Sequence, residues 1–269
     1  MKKEILVVGV ILILMALVYA DNQPTGATLT IGNTAPKITS VHAVDNVGLT
    51  SGTTKTIYVF FNVSDAEGYA DVNVSSAIVN LNKTGETTRT STSCTSLNET
   101  GNDIIINCSI DMYFYDAQGS WDINATINDN TEENAENITR ALTVSALDSI
   151  SLNDSSLSFG NPASGEADVK GDVELIINFG NSDYTVMQVK GQNLTGAVNG
   201  YNISATTFSV NNLDSAAGEA LVENADVTVV SLTLNHGVEA NTTMYTYVDV
   251  PVIVADTYTT AIDWTITAS

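Results

Sequence analysis

Thirty-one acidic side chains, two histidines and two cysteines are the groups from which this 269-residue chain could assemble chemistry. Nucleophilic and metal-hydrolytic sites of the common kinds need a histidine beside the reacting group. Here His42 and His236 each stand alone, in Val41-His42-Ala43 and Asn235-His236-Gly237, and both read as surface or turn residues. No nucleophile elbow, zinc-protease helix, phosphate loop or dinucleotide fingerprint occurs. That leaves the carboxylates. Asp65 and Glu67 form one acidic turn, and Asp129, Asn130, Glu132 and Glu133 form another. Oxygen-rich turns suit calcium, which takes about six to eight oxygen ligands. The two turns read first as solvated polar loops; the alternative is a calcium site with Asp65, Glu67, Asp129 and Asn130 as its ligands. No other cofactor is expected. Two carboxylates flanking a glycosidic bond are the one enzymatic reading left open, because acids this numerous always contain pairs. No catalytic residue stands out, and the chain reads as a non-enzyme.

Cys94 and Cys108 sit in segments of strand character on either side of Asn98-Glu99-Thr100-Gly101-Asn102-Asp103. If those strands fold back about Gly101, Cys94 faces Cys108 and Leu97 faces Ile105. In an oxidising compartment this register predicts a disulfide worth roughly 3 kcal/mol. The alternative is two buried free thiols. A metal site is poor there, since two thiolates without a nearby histidine supply too few ligands.

The elements that must position these groups are strands. Ile57, Val59, Phe61 and Val63 alternate with polar or outward residues, as do Trp121, Ile123, Ala125 and Ile127. Later sets are Val173, Leu175, Ile177 and Phe179; Val248, Val250, Val252 and Val254; and Tyr258, Ile262, Trp264 and Ile266. Such period-two runs, rich in β-branched and aromatic residues and separated by Gly, Asn and Pro turns, predict an all-β protein. A polar stretch at 148–156 marks a boundary, so the expected order is an arm (21–35), a sandwich at 36–146 and a second sandwich at 147–269. The arm holds a short alternating run at 27–31, read as a first strand, a linker, or a strand donated to another subunit. Trp121 and Trp264, each on the apolar side of its run, are expected in the core.

Lys2-Lys3-Glu4, an apolar run at 5–19 and Val18-Tyr19-Ala20 predict a cleaved secretory signal peptide, residues 1–20. That run is shorter than the roughly 20 residues a bilayer demands, so no membrane span is expected in the mature chain. With 9 basic residues against 31 acidic ones the net charge is −22, which repels phosphate and excludes nucleic acid as a partner. Asn-x-Ser/Thr occurs at Asn62, Asn73, Asn82, Asn98, Asn107, Asn124, Asn137, Asn153, Asn193, Asn202 and Asn241. These are glycosylation candidates and agree with a surface protein of an asparagine-glycosylating organism such as an archaeon.

Two segments, residues 61–68 (Phe-Asn-Val-Ser-Asp-Ala-Glu-Gly) and 119–130 (Gly-Ser-Trp-Asp-Ile-Asn-Ala-Thr-Ile-Asn-Asp-Asn), resemble immunoglobulin-like, cadherin-like and PKD-like surface modules. Asn128-Asp129-Asn130 looks like part of a cadherin interdomain motif without its following proline. Trp264-Thr265-Ile266 resembles the distal motif of WxL cell-wall proteins, with Ile in place of Leu. The resemblance implies two immunoglobulin-like β-sandwich domains in tandem. The expected role is an exported structural or adhesive component of an envelope or filament, with other surface proteins, copies of itself or glycans as partners. The alternatives are a carbohydrate- or receptor-binding module and, third, a glycoside-acting enzyme.

Overall fold

Long alternating segments dominate the first half of the chain in the computed structural model, which describes residues 28–269. The leader, and the arm up to residue 27, lie outside the described residues. Eight strands come first: β1 (Lys37–Val41), β2 (Thr54–Ser64), β3 (Val72–Asn82), β4 (Arg89–Thr90), β5 (Ser93–Thr100), β6 (Asp103–Tyr113), β7 (Gly119–Asp129) and β8 (Asn134–Val144). Antiparallel pairing orders them β1-β2-β6-β5 in one sheet and β4-β3-β7-β8 in another. Val59, Phe61, Ile106 and Ile110 from the first sheet meet Val79, Leu81, Trp121 and Ile123 from the second in one core. Each large apolar side chain buried there contributes about 1.5–3 kcal/mol. Trp121, fully buried, satisfies its indole N–H on the Ala117 carbonyl at 2.9 Å.

The β5–β6 hairpin joins Cys94 to Cys108 in a disulfide, with Cα atoms 4.1 Å apart. Its register differs in detail from a fold about Gly101. Thr100 pairs Asp103 across a two-residue loop, Gly101-Asn102, with Gly101 at φ 61°. That geometry would offset the cysteines by one residue. A bulge between Ser96 and Asn98 restores the register, so Cys94 faces Cys108 while Leu97, expected opposite Ile105, is left unpaired and exposed.

Twelve shorter strands follow: β9 (Ile150–Leu152), β10 (Val169–Lys170), β11 (Glu174–Asn178), β12 (Met187–Lys190), β13 (Leu194–Gly196), β14 (Asn202–Ile203), β15 (Phe208–Asn211), β16 (Glu219–Ala220), β17 (Val227–Thr228), β18 (Asn241–Val248), β19 (Tyr258–Thr260) and β20 (Thr265–Ala268). They form three sheets rather than two facing ones: β16-β15-β18-β11-β9 with β10 beside β18, then β17-β12-β20, then β14-β13-β19. A second core gathers Ile176, Met187, Phe208, Leu221 and Met244. Residues 34–269, with both cores, form one compact unit.

Three alternating runs resolve differently from their pattern. In β11 the inward set is Glu174, Ile176 and Asn178, the opposite phase from that expected. β11 lies between β18 and β9, and Leu175 and Ile177 are also half-covered, so apolarity does not mark one face. Asn178 is buried because it builds the next turn, donating to the Ser182 carbonyl at 2.8 Å and accepting the Gly180 N–H at 2.8 Å. The valine run from 248 leaves the sheet after Val248, since Pro251 has no N–H for a ladder, and Val252 and Val254 are exposed. A bend at 261–264 separates β19 from β20, leaving Ile262 exposed and Trp264 half-buried, edge-on to Phe208 at 5.1 Å. Residues 28–31 of the arm form no strand, and Leu29 and Ile31 are 84% and 83% exposed. A run this short is not held as a strand without ladder partners.

Candidate functional site

The two acidic turns meet at one end of the first core. Asp65 follows β2 directly, Asp129 ends β7, and Asp71 closes a single 3₁₀ turn, Tyr69–Asp71, before β3. One carboxylate oxygen from each of the three lies within 4.8 Å of the others. Asp65 and Asp129 are buried, at 1% and 0% exposure. Asp129 shapes its own hairpin: its Oδ1 accepts the Thr131 N–H at 2.8 Å, the Thr131 hydroxyl at 3.0 Å and the Glu133 N–H at 3.0 Å. Asp65 Oδ1 accepts the Glu67 N–H at 2.9 Å, whereas Asp65 Oδ2 is buried and accepts no hydrogen bond. Burial pushes the Asp65 carboxyl above its ordinary value, and the neighbouring Glu67 and Asp71 carboxylates push it further, against the pull of the Glu67 N–H.

Of the four candidate calcium ligands, then, Asp65 and Asp129 converge. Glu67 is exposed beside Asp65. Asn130 acts as a spacer, its N–H donating to the Asp71 carbonyl at 2.8 Å and its side-chain amide to the Ala70 carbonyl at 3.0 Å. Asp71 was not foreseen. The Asn128-Asp129-Asn130 segment lies at the β2 end marked by Ser64, while the contacts between the two cores lie near Thr53 and Phe114 at the opposite end. An oxygen-only set of this kind suits a hard cation.

The junction between the cores is a second polar concentration. Asn181 accepts the Leu147 N–H at 2.7 Å and donates to the carbonyls of Asp116 and Ser145 at 3.0 Å each, which uses both of its amide hydrogens. Phe179 stacks edge-on against Phe114 at 5.9 Å, and its carbonyl accepts the Gly52 N–H at 3.2 Å. Asp116, fully buried, is gripped by Arg89 through two nitrogens and accepts the Tyr113 N–H at 2.9 Å. His236, expected to stand alone, instead lies with Nδ1 2.7 Å from Asp183 and Nε2 3.3 Å from Glu86. Burial lowers its affinity for a proton, but these two acids outweigh that and raise it. His42, exposed, lies with Nε2 3.0 Å from the Asn62 side chain and its ring 6.2 Å from that of Phe60.

None of the eleven sequon asparagines is buried, and Asn98, Asn153, Asn202 and Asn241 are exposed. A depression of about 210 Å³ near β15 and β18 is lined by Asp168, Thr206, Thr207, Tyr247 and Asp249 among others, and Asp249 accepts the Asp168 N–H at 2.9 Å. A shallower groove of about 490 Å³ is formed by Tyr201, Asn202, Val252, Ile253 and Val254. No helix among the described residues is long and apolar enough to cross a membrane.

No family model matches the chain, and no curated protein matches it. Among solved structures, the secreted serine protease VesC from Vibrio cholerae aligns with 86% of this chain and 50% of its own, at 13% identity and a TM-score of 0.23. The chain thus spans half the length of that protease, and at this score the likeness carries no argument about fold or activity.

Proposed function

We propose that this chain is an exported, non-enzymatic surface protein, a structural or adhesive component of an envelope or filament. The observation that carries this reading is the junction at Asn181, where three hydrogen bonds of one side-chain amide and several main-chain hydrogen bonds link two packed cores. A fixed junction transmits force between the two halves, which a structural component requires and a single-site binder does not. The strand order of the first half supports its membership of the immunoglobulin-like class. With β1, β2, β6 and β5 as A, B, E and D, and β3, β7 and β8 as C, F and G, it follows the ABED/CFG arrangement, with β4 as an added edge. Two features depart from antibody domains: the tryptophan sits on the F-like strand, and the disulfide links the D- and E-like strands within one sheet. Both tryptophans turn inward rather than offering a sugar platform, which favours the structural role over glycan binding.

The binding-module alternative draws on the groove at Tyr201 and Val254, where an exposed aromatic adjoins apolar groove walls. Immuno-electron microscopy of cells that make the protein separates the readings. Gold label over a surface lattice or filament is the expected result. Label confined to the cytoplasm, or protein found only free in the medium, would overturn the structural role.

A further inference from the structure

We propose that Asp65, Asp71 and Asp129 bind a single calcium ion at the end of the first core remote from the junction. The proposal stands apart from the role argued above. Two independent observations meet in it. Three carboxylate oxygens converge within 4.8 Å, and one of the side chains, Asp65, is 1% exposed with an oxygen that no protein group answers. A buried carboxylate with one oxygen left unpartnered is costly, and two further acids beside it raise the cost. A cation bound among them removes both penalties at once. Every candidate donor is oxygen, and neither histidine nor cysteine approaches the cluster, so the ligand is a hard cation rather than zinc or copper. Calcium–oxygen bonds of about 2.3–2.6 Å place opposite ligands about 4.6–5.2 Å apart, whereas the bonds of about 2.1 Å in magnesium sites allow only about 4.2 Å. Oxygens that all lie within 4.8 Å of one another come inside the reach of calcium, and magnesium, which binds through one or two carboxylates and keeps several waters, is the poorer match to three. Glu67 acts on Asp65 but lies outside the converging set, so water completes the shell.

The consequence is mechanical. Asp65 extends β2 of one sheet, Asp129 ends β7 of the facing sheet, and Asp71 belongs to the connection that crosses between them. The ion thus pins the two sheets at their open end, about 34 Å along β2 from the junction. With three protein carboxylates in surface connections, the dissociation constant should fall in the range of extracellular modules, about 10⁻⁴–10⁻³ M.

The test is a calcium titration of the full chain after EDTA dialysis, followed by thermal melting and by isothermal calorimetry, with magnesium as comparison. The expected result is a saturable rise in melting temperature with calcium, and at least tenfold weaker response to magnesium. Asp71→Asn should weaken calcium binding at least tenfold. Asp65→Asn should do the same while melting at or above the wild type without metal, because the amide removes a buried, unanswered charge. Should Asp65→Asn fail to fold, Asp71→Asn carries the test alone. No saturable effect of calcium on the wild type, equal effects of the two cations, or an Asp71→Asn variant that titrates like the wild type would each overturn the proposal.

Discussion

Replacing Arg89 by alanine should destabilise the first core by about 3–5 kcal/mol, the cost of stripping a buried charge of its partner. Asp116 is fully buried, and Arg89 supplies Nε at 2.9 and 3.1 Å to its two oxygens together with a terminal nitrogen. Without Arg89 the carboxylate keeps only the Tyr113 N–H at 2.9 Å. The guanidinium also lies 4.6 Å from the centroid of the Tyr113 ring, a contact worth about 0.5–2 kcal/mol that is lost as well. Because the pair is interior, with Arg89 only 12% exposed, salt should screen little of this. The double variant Arg89→Met/Asp116→Leu removes both charges and should recover most of the loss, since desolvation largely cancels the attraction in the native pair. The Asp116 main-chain carbonyl, which accepts Asn181, is untouched by either change. Urea unfolding in a Trp264→Phe background, read by Trp121 fluorescence, isolates the first core. A loss below about 1 kcal/mol for Arg89→Ala, or a double variant no better than the single one, would refute the reasoning.

The junction histidine should make stability pH-dependent. His236 holds its proton more tightly in the folded chain than the ordinary value of 6.5, so its contribution is complete below that pH and is lost as pH rises through the raised folded value. Melting temperature should therefore fall as pH rises above about 6.5 in the wild type and stay flat in His236→Gln; parallel curves would exclude the mechanism. Glu174 moves stability in the same direction at lower pH, as a penalty on the charged form rather than a gain from it. Burial raises its carboxyl above 4.5, so the folded state is penalised once pH exceeds that value, and Glu174→Gln should melt higher than wild type at neutral pH with the gap closing near about pH 4. Equal melting at both pH values would show that the charge costs nothing there. Gly180→Ala would place a Cβ 1.9 Å from the Leu147 carbonyl oxygen and 3.0 Å from the Ser149 nitrogen. Both are main-chain atoms that cannot swing aside, so the variant should lose at least about 2 kcal/mol and split the calorimetric melt in two; an unchanged melt would contradict the close approach.

Where one face of a strand is buried and the other wet, the sequence alone determined the outcome. β2 and β7 were legible because Val59, Phe61, Trp121 and Ile123 alternate with solvated partners, and burial selects one phase. The disulfide was legible for a related reason, since hairpin neighbours close in sequence are close in space. Periodicity failed at β11, where both faces are covered and a buried asparagine serves a turn instead of the core. The acidic turns were visible as composition, but the third carboxylate was not. Asp71 joins Asp65 and Asp129 only because the Asn130 N–H docks on its carbonyl once the two sheets are stacked. His236 read as solitary because Glu86, its partner, lies 150 residues away in the chain. Local alternation carries the strands, because a strand's inside and outside depend on its own neighbours; the cation cluster and the junction depend on which distant loops the packed cores bring together, and only the tertiary structure decides that.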